Sequence, residues 1–110
     1  MKKVRVYISG PMSGLSKECV VSRFSLAEAY LREHGVKHVS NPIRFLPFRY
    51  DIIYRLLGYD ITLLYDLFWL SRCTHIFMLH GWEESRGART EFDKAWRSGL
   101  KVLCFNDYKR

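Results

Sequence analysis

The stretch Lys3-Val-Arg-Val-Tyr-Ile-Ser-Gly-Pro-Met-Ser-Gly14 reads as a strand that runs into a loop. Lys3 to Ser9 is rich in β-branched and aromatic side chains and stops at the turn signal Gly10-Pro11. Directly downstream, Val20, Phe24, Ala27 and Leu31 recur at helical spacing, with Ser16 placed to cap, Glu18 in the first turn and Gly35 at the end. The order is therefore strand, loop, helix, and the rest of the chain continues the alternation.

A short second strand, Lys37 to Ser40, ends at Asn41-Pro42. The segment through Tyr54 mixes aromatic and basic residues (Arg44, Phe45, Phe48, Arg49, Tyr50) and is assigned no conformation. A helix is expected from about Asp60 to Arg72, and His75 to His80 reads as a fully buried strand bounded by Gly81. A polar loop, Gly81 to Gly87, leads into a helix with Ala88, Phe92 and Ala95 on one face and Gly99 closing it, and Lys101 to Phe105 is the last strand. Strands alternating with helices define a single α/β domain, 1–110, with a mostly parallel sheet of four to five strands covered on both faces. In such sheets ligands collect at the carboxyl ends of the strands, where the loops Gly10 to Ser16 and Gly81 to Gly87 both fall.

Composition narrows the class. With 110 residues, 48% hydrophobic, 15% aromatic and 26% charged, the chain has too much core material for a disordered or fibrous protein. The longest apolar run, Ile61 to Leu70, is broken by Asp66 and is about half of a membrane span. Turn residues stand where a secretory signal would have its apolar core, so a cytoplasmic protein with no membrane association is expected. Cys19, Cys73 and Cys104 are an odd set without Cys-x-x-Cys spacing and read as buried thiols. The net charge of +7 is scattered along the chain and favours anionic ligands, a phosphate-bearing small molecule as well as nucleic acid. The lack of a dense basic run counts against nucleic acid, for which Arg44 to Arg55 would be the contact segment.

Few side chains are candidates for chemistry. The loop from Ser9 to Gly14 carries two glycines and two hydroxyls between a strand and a helix, a setting that holds anions on backbone N–H groups but is equally a plain tight turn. Glu91 falls at the margin of the stripe formed by Ala88, Phe92 and Ala95; it either points into the cleft above the sheet or pairs in solvent with Lys94. Glu83 and Glu84 read as solvated loop charges. Asp66 shares its helix side with Tyr59, Leu63, Trp69 and Leu70, and is either a desolvated acid of raised pKa or a structural hydrogen-bond acceptor. Tyr7 is either a core ring or a hydroxyl that orients a carboxylate at the strand end. His34, His38, His75 and His80 lack metal-ligand spacing, and no Gly-x-Ser-x-Gly elbow is present, so the nucleophile of an enzyme here would be a carboxylate.

Taken together, Tyr7-Ile-Ser-Gly-Pro-Met-Ser-Gly14, Asn41-Pro42, Asp66 ahead of Cys73, and Gly81-Trp-Glu-Glu-Ser-Arg-Gly-Ala-Arg-Thr-Glu91 resemble the nucleoside 2-deoxyribosyltransferase superfamily. They resemble its small bacterial and phage branch most, and are also similar to 2′-deoxynucleoside 5′-phosphate N-hydrolases. The resemblance implies a flavodoxin-like, Rossmann-like three-layer sandwich that opens the N-glycosidic bond of 2′-deoxynucleosides or their 5′-monophosphates and passes the sugar to water or another base. It implies a catalytic set of Glu91 as nucleophile, Asp66 assisting at sugar and base, and Tyr7 holding the glutamate. Substrate would be bound by Ser9, Gly10, Met12, Ser13, Gly14 and Asn41, and by Ser85, Arg86 and Gly87 at a helix N-terminus. No metal or organic cofactor is implied, and a homodimer or larger homo-oligomer is. The chain departs from phosphate-specific relatives at Pro11 and Ser13, where they carry serine and arginine, and from the usual family pattern at Tyr65, usually basic, and at Cys73-Thr74, usually Cys-Asp. The alternative reading on the same fold is a non-catalytic module that binds or senses a nucleotide.

Overall fold

A computed structural model describes residues 3–11, 15–45, 68 and 70–104 of the chain. Four strands, β1 (Arg5–Ser9), β2 (His38–Ser40), β3 (His75–Met78) and β4 (Lys101–Leu103), form one sheet in the order β2-β1-β3-β4. Every pairing is parallel, with Tyr7 opposite Ser40 on one side and Ile76 on the other, and Ile76 opposite Val102. Helix α1 (Lys17–Glu33) joins β1 to β2, a single helical turn α2 (Pro42–Phe45) follows β2, and α3 (Arg86–Arg97) joins β3 to β4. This is the expected α/β architecture, consistent with a flavodoxin-like sandwich.

The sequence dictates both helix ends. Ser16 accepts the Cys19 N–H at 3.1 Å and Ser85 accepts the Ala88 N–H at 3.3 Å, each satisfying a donor that the first turn leaves without a partner. At the other ends Gly35 and Gly99 take φ of 91° and 81°, left-handed values that let the chain reverse. Val36 N–H then returns to Leu31 C=O and Leu100 N–H to Ala95 C=O, closing a Schellman motif on each helix.

Alternation along β1 splits the core in two. Val6 and Ile8, with Phe77 and Leu79, pack on Phe24, Ala27 and Leu31 of α1. Tyr7, Ile76 and Met78 point the other way, onto Ala88 and Ala95 of α3 and onto Leu70 and Cys73. The two helices therefore cover opposite faces. Each large apolar side chain removed from water in these layers contributes about 1.5–3 kcal/mol.

Boundaries differ from the sequence expectation in several places: β1 starts at Arg5 rather than Lys3, and β2 at His38 rather than Lys37. The β3 ladder stops at Met78, and His80 lies exposed in a turn, because the chain bends at Gly81. The loop from Gly81 contains a 3-10 turn, Trp82–Glu84, and α3 starts at Arg86, since the Ser85 cap fixes its first turn. The last strand is described to Leu103; Phe105 lies outside the described residues. So does the helix expected from about Asp60 to Arg72, apart from helical Phe68 and Leu70 and the turn that follows.

The strand order carries a functional consequence. From β1 the chain moves outward to β2, then returns past β1 to lay down β3 on its other side. The connections at the carboxyl ends of β1 and β3 consequently diverge, and open parallel sheets bind their ligands at such a switch point.

Candidate functional site

Ser9 and Met78 are the last paired residues of β1 and β3, and Ser9 C=O still accepts the Leu79 N–H at 2.8 Å. Gly10 continues directly over Leu79: a Cβ on Gly10 would lie 2.7 Å from the Leu79 Cβ, so only glycine allows the two strand ends to lie this close. Gly10 thus lies tight against the Leu79 side chain where the two strands end.

Glu91 projects onto these strand ends from α3. The residue is 6% exposed. Tyr7 donates its phenol hydrogen to Oε2 at 2.7 Å, and Ser9 donates its hydroxyl hydrogen to Oε1 at 2.6 Å. Both donors are themselves buried. These are short, charge-assisted contacts of the stronger kind. Burial raises the Glu91 pKa from an ordinary 4.5 to about 7, and the hydroxyls of Ser9 and then Tyr7 act against that rise by favouring the charged form. The result is a carboxylate near half-ionisation at neutral pH, and perturbed groups of this sort concentrate at functional sites.

The surroundings follow from local sequence. Tyr7 and Ser9 lie two residues apart on one strand and so share the face toward α3. On α3, Gly87 stands four residues before Glu91 and Ala88 three, which places both on the helix turn beneath the carboxylate side chain. Ser85, the cap, and exposed Arg86 complete that helix N-terminus. Phe92 stacks on Trp82 at 4.6 Å between ring centroids and holds the 3-10 turn against α3. An open groove of about 910 Å³ runs along the ends of β3 and β4, walled by Met78, Trp82 and Leu103; Glu91 is not among its lining residues.

The residues singled out from sequence divide as follows. Glu91, Tyr7 and Ser9 meet in one hydrogen-bonded group, with Gly10 at its edge. The exposed pair of Glu91 with Lys94 is not formed. Ser85, Arg86 and Gly87 sit one turn away on α3. Asn41 is buried, and its side chain is engaged with α1 and α2: it donates to Phe24 C=O at 3.2 Å and Glu28 Oε1 at 3.0 Å, and accepts from Ile43 N–H. Asp66, Met12, Ser13 and Gly14 lie outside the described residues. Sequence reasoning placed Ser9 in a ligand loop and missed its direct hold on Glu91, although the two-residue period from Tyr7 carries that signal. Among the described residues no set of three or more His, Cys, Asp or Glu side chains is arranged to hold a metal ion, and no helix is long and apolar enough to cross a membrane.

Fold and site together define an α/β protein with a parallel sheet and a buried, hydroxyl-held carboxylate at the carboxyl edge of its switch point. The chain belongs to the family described as Domain of unknown function (DUF4406), which matches residues 4–104. No curated protein matches it.

Proposed function

We propose that this protein is an N-glycosidase or glycosyltransferase of the nucleoside 2-deoxyribosyltransferase kind, acting on 2′-deoxynucleosides or their 5′-monophosphates. The observation that carries the reading is Glu91: buried at the switch point, with each oxygen bound to a hydroxyl and, among the described residues, neither to a cation. A carboxylate held by a lysine or arginine is neutralised, whereas one held by hydroxyls alone keeps its charge available for an electron-poor carbon.

In the first step Glu91 attacks the anomeric carbon while the carbon–nitrogen bond breaks and its electron pair leaves with the base. The transition state resembles an oxocarbenium ion, as in retaining glycosidases. Its positive charge next to Glu91 offsets the desolvation that raises the pKa in the free protein, so the interaction is strongest where charge develops. The departing base takes up one proton, for which Asp66 is the proposed donor. In the second step water or another base attacks the same carbon, loses a proton, and releases the carboxylate. The N-terminus of α3, with Ser85, Arg86 and Gly87, is the proposed seat of the 5′ end of the sugar, through backbone N–H groups and a guanidinium.

Chromatography of free base released from a panel of 2′-deoxynucleosides and their 5′-monophosphates tests this, with Glu91→Gln alongside and a second base added or withheld. Release that needs Glu91 is the expected result, and dependence on the second base separates transferase from hydrolase. No release from any substrate, with a nucleotide still bound in calorimetry, would replace this reading by the non-catalytic nucleotide-binding module.

A further inference from the structure

The two hydroxyls hold Glu91 at different depths. Tyr7 lies inside the sheet, paired to Ser40 and to Ile76, whereas Ser9 occupies the last paired position of β1. Strand rise puts Ser9 roughly 6–7 Å further toward the carboxyl edge, the side on which parallel sheets receive ligands. The oxygen bound by Ser9 is Oε1 and the oxygen bound by Tyr7 is Oε2. Building on the glycosyl-transfer reading above, we propose that Ser9 is a positioning residue that presents Oε1 of Glu91 as the attacking oxygen, while Tyr7 fixes Oε2 as the oxygen that becomes the ester carbonyl.

The chemistry distinguishes the two contacts. Each carboxylate oxygen has two acceptor directions, and Ser9 occupies one of those on Oε1, leaving the other for carbon. In the attack, a lone pair of Oε1 forms the bond to the anomeric carbon; the carbon–nitrogen bond breaks, its electron pair leaves with the base, and the base gains one proton from solvent or a side-chain acid. Oε2 is now a carbonyl oxygen, a good acceptor that keeps the Tyr7 hydrogen bond. Oε1 is now the bridging ester oxygen, a poor acceptor, and the Ser9 hydrogen bond weakens. In the second step a lone pair of water or of an acceptor base bonds the same carbon, the bond to Oε1 breaks with its pair returning to Oε1, and the acceptor gives one proton to solvent. Ser9 therefore assists the departure of Glu91 more than its attack, while Tyr7 supports both.

The experiment compares wild type with Ser9→Ala, Ser9→Thr and Tyr7→Phe. Glu91 is titrated in the free proteins by ¹³C NMR of its side-chain carboxyl, and the burst of base release and the decay of the glycosyl-enzyme are then followed across pH. Loss of either hydroxyl is expected to raise the Glu91 pKa, because a donor to the charged form is gone, and Ser9→Thr is expected to restore it. Above that titration, Tyr7→Phe should slow the burst by about tenfold, because the contact that orients the carboxylate for attack is gone. Ser9→Ala should leave the burst within about threefold of wild type, yet slow breakdown of the intermediate by about tenfold, so that it accumulates. A burst slowed by Ser9→Ala as much as by Tyr7→Phe would overturn the assignment of Oε1, and an unmoved titration in Ser9→Ala would overturn the positioning role. If wild type releases no base, the glycosyl-transfer reading falls and the proposal with it; the titration, which needs no substrate, tells that failure apart from a Ser9 that does not hold Glu91.

Discussion

Each of the two long helices among the described residues buries a glutamate, and the two are treated differently. Glu28 on α1 is 3% exposed; Arg32 meets it at 2.9 Å one turn on, and the Asn41 amide donates to its other oxygen. Arg32 also donates to Lys37 C=O, so the group ties α1 to the start of β2. Glu91 on α3 is equally buried, at 6%, but its partners are two neutral hydroxyls at the end of β1. Burial alone thus does not mark a reactive carboxylate. A buried charge matched by a cation is a structural tie, whereas one matched by hydroxyls is the kind of perturbed group that concentrates at functional sites.

The largest expected contrast is between the two amide substitutions. Glu91→Gln should reduce base release by at least about a thousandfold while the fold persists, since it removes the attacking atom and little volume. Glu28→Gln should leave base release near the wild-type rate and lower stability by about 1–2 kcal/mol, with the half-exposed Arg32 regaining water. Denaturant unfolding beside the chromatographic assay reads both. Equal loss of activity in the two variants would erase the distinction drawn here.

A second contrast lies in pH. The folded-state pKa of Glu91 is raised to about 7, so the native protein binds this proton more tightly than the unfolded chain does. The stability from Glu91 is therefore fully present below about 4.5, declines as pH rises toward 7, and is level above that. Across that window the wild type should lose a few kcal/mol relative to Glu91→Gln, which has no proton to release. Paired unfolding curves at pH 5 and pH 8 check this, and a constant difference between the two proteins would show that Glu91 is not perturbed. On the proposed reading the same ionisation should appear as an acid limb near pH 7 in kcat/KM for base release.

The helix caps sharpen the comparison least but most simply. Ser16→Ala and Ser85→Ala should each cost about 1 kcal/mol, read as a shift in unfolding midpoint. On the proposed reading Ser85→Ala should also raise KM, because Ser85 caps the helix that carries Glu91.

Much of this was legible locally. Ser16, Gly35 and Gly99 stand at helix ends, Tyr7 alternates along a strand, and the strand–helix rhythm implies the parallel sheet. From spacing alone Glu91 was legible only as a residue at the edge of the buried stripe, and its pairing with Tyr7 came from the resemblance, because the donors that settle its state lie 84 and 82 residues away on β1. No local pattern carries such a contact. Asn41 shows the converse: the resemblance implies a substrate residue, and nothing in the local sequence announces that its side chain donates to Phe24 C=O and Glu28. The overlooked partner had a signal, since Glu28 stands four residues after Phe24 and three before Leu31, on the buried side of α1.

Trapping the intermediate tests the central claim most directly. Incubation with a 2′-fluorinated 2′-deoxynucleoside, whose electronegative substituent slows departure of the sugar from the enzyme, should give wild type heavier by one glycosyl group in intact-protein mass spectrometry. Peptide mapping should place that group on Glu91, and Glu91→Gln should remain unmodified. A sugar found on another carboxylate, or no adduct under conditions where free base accumulates, would contradict the account.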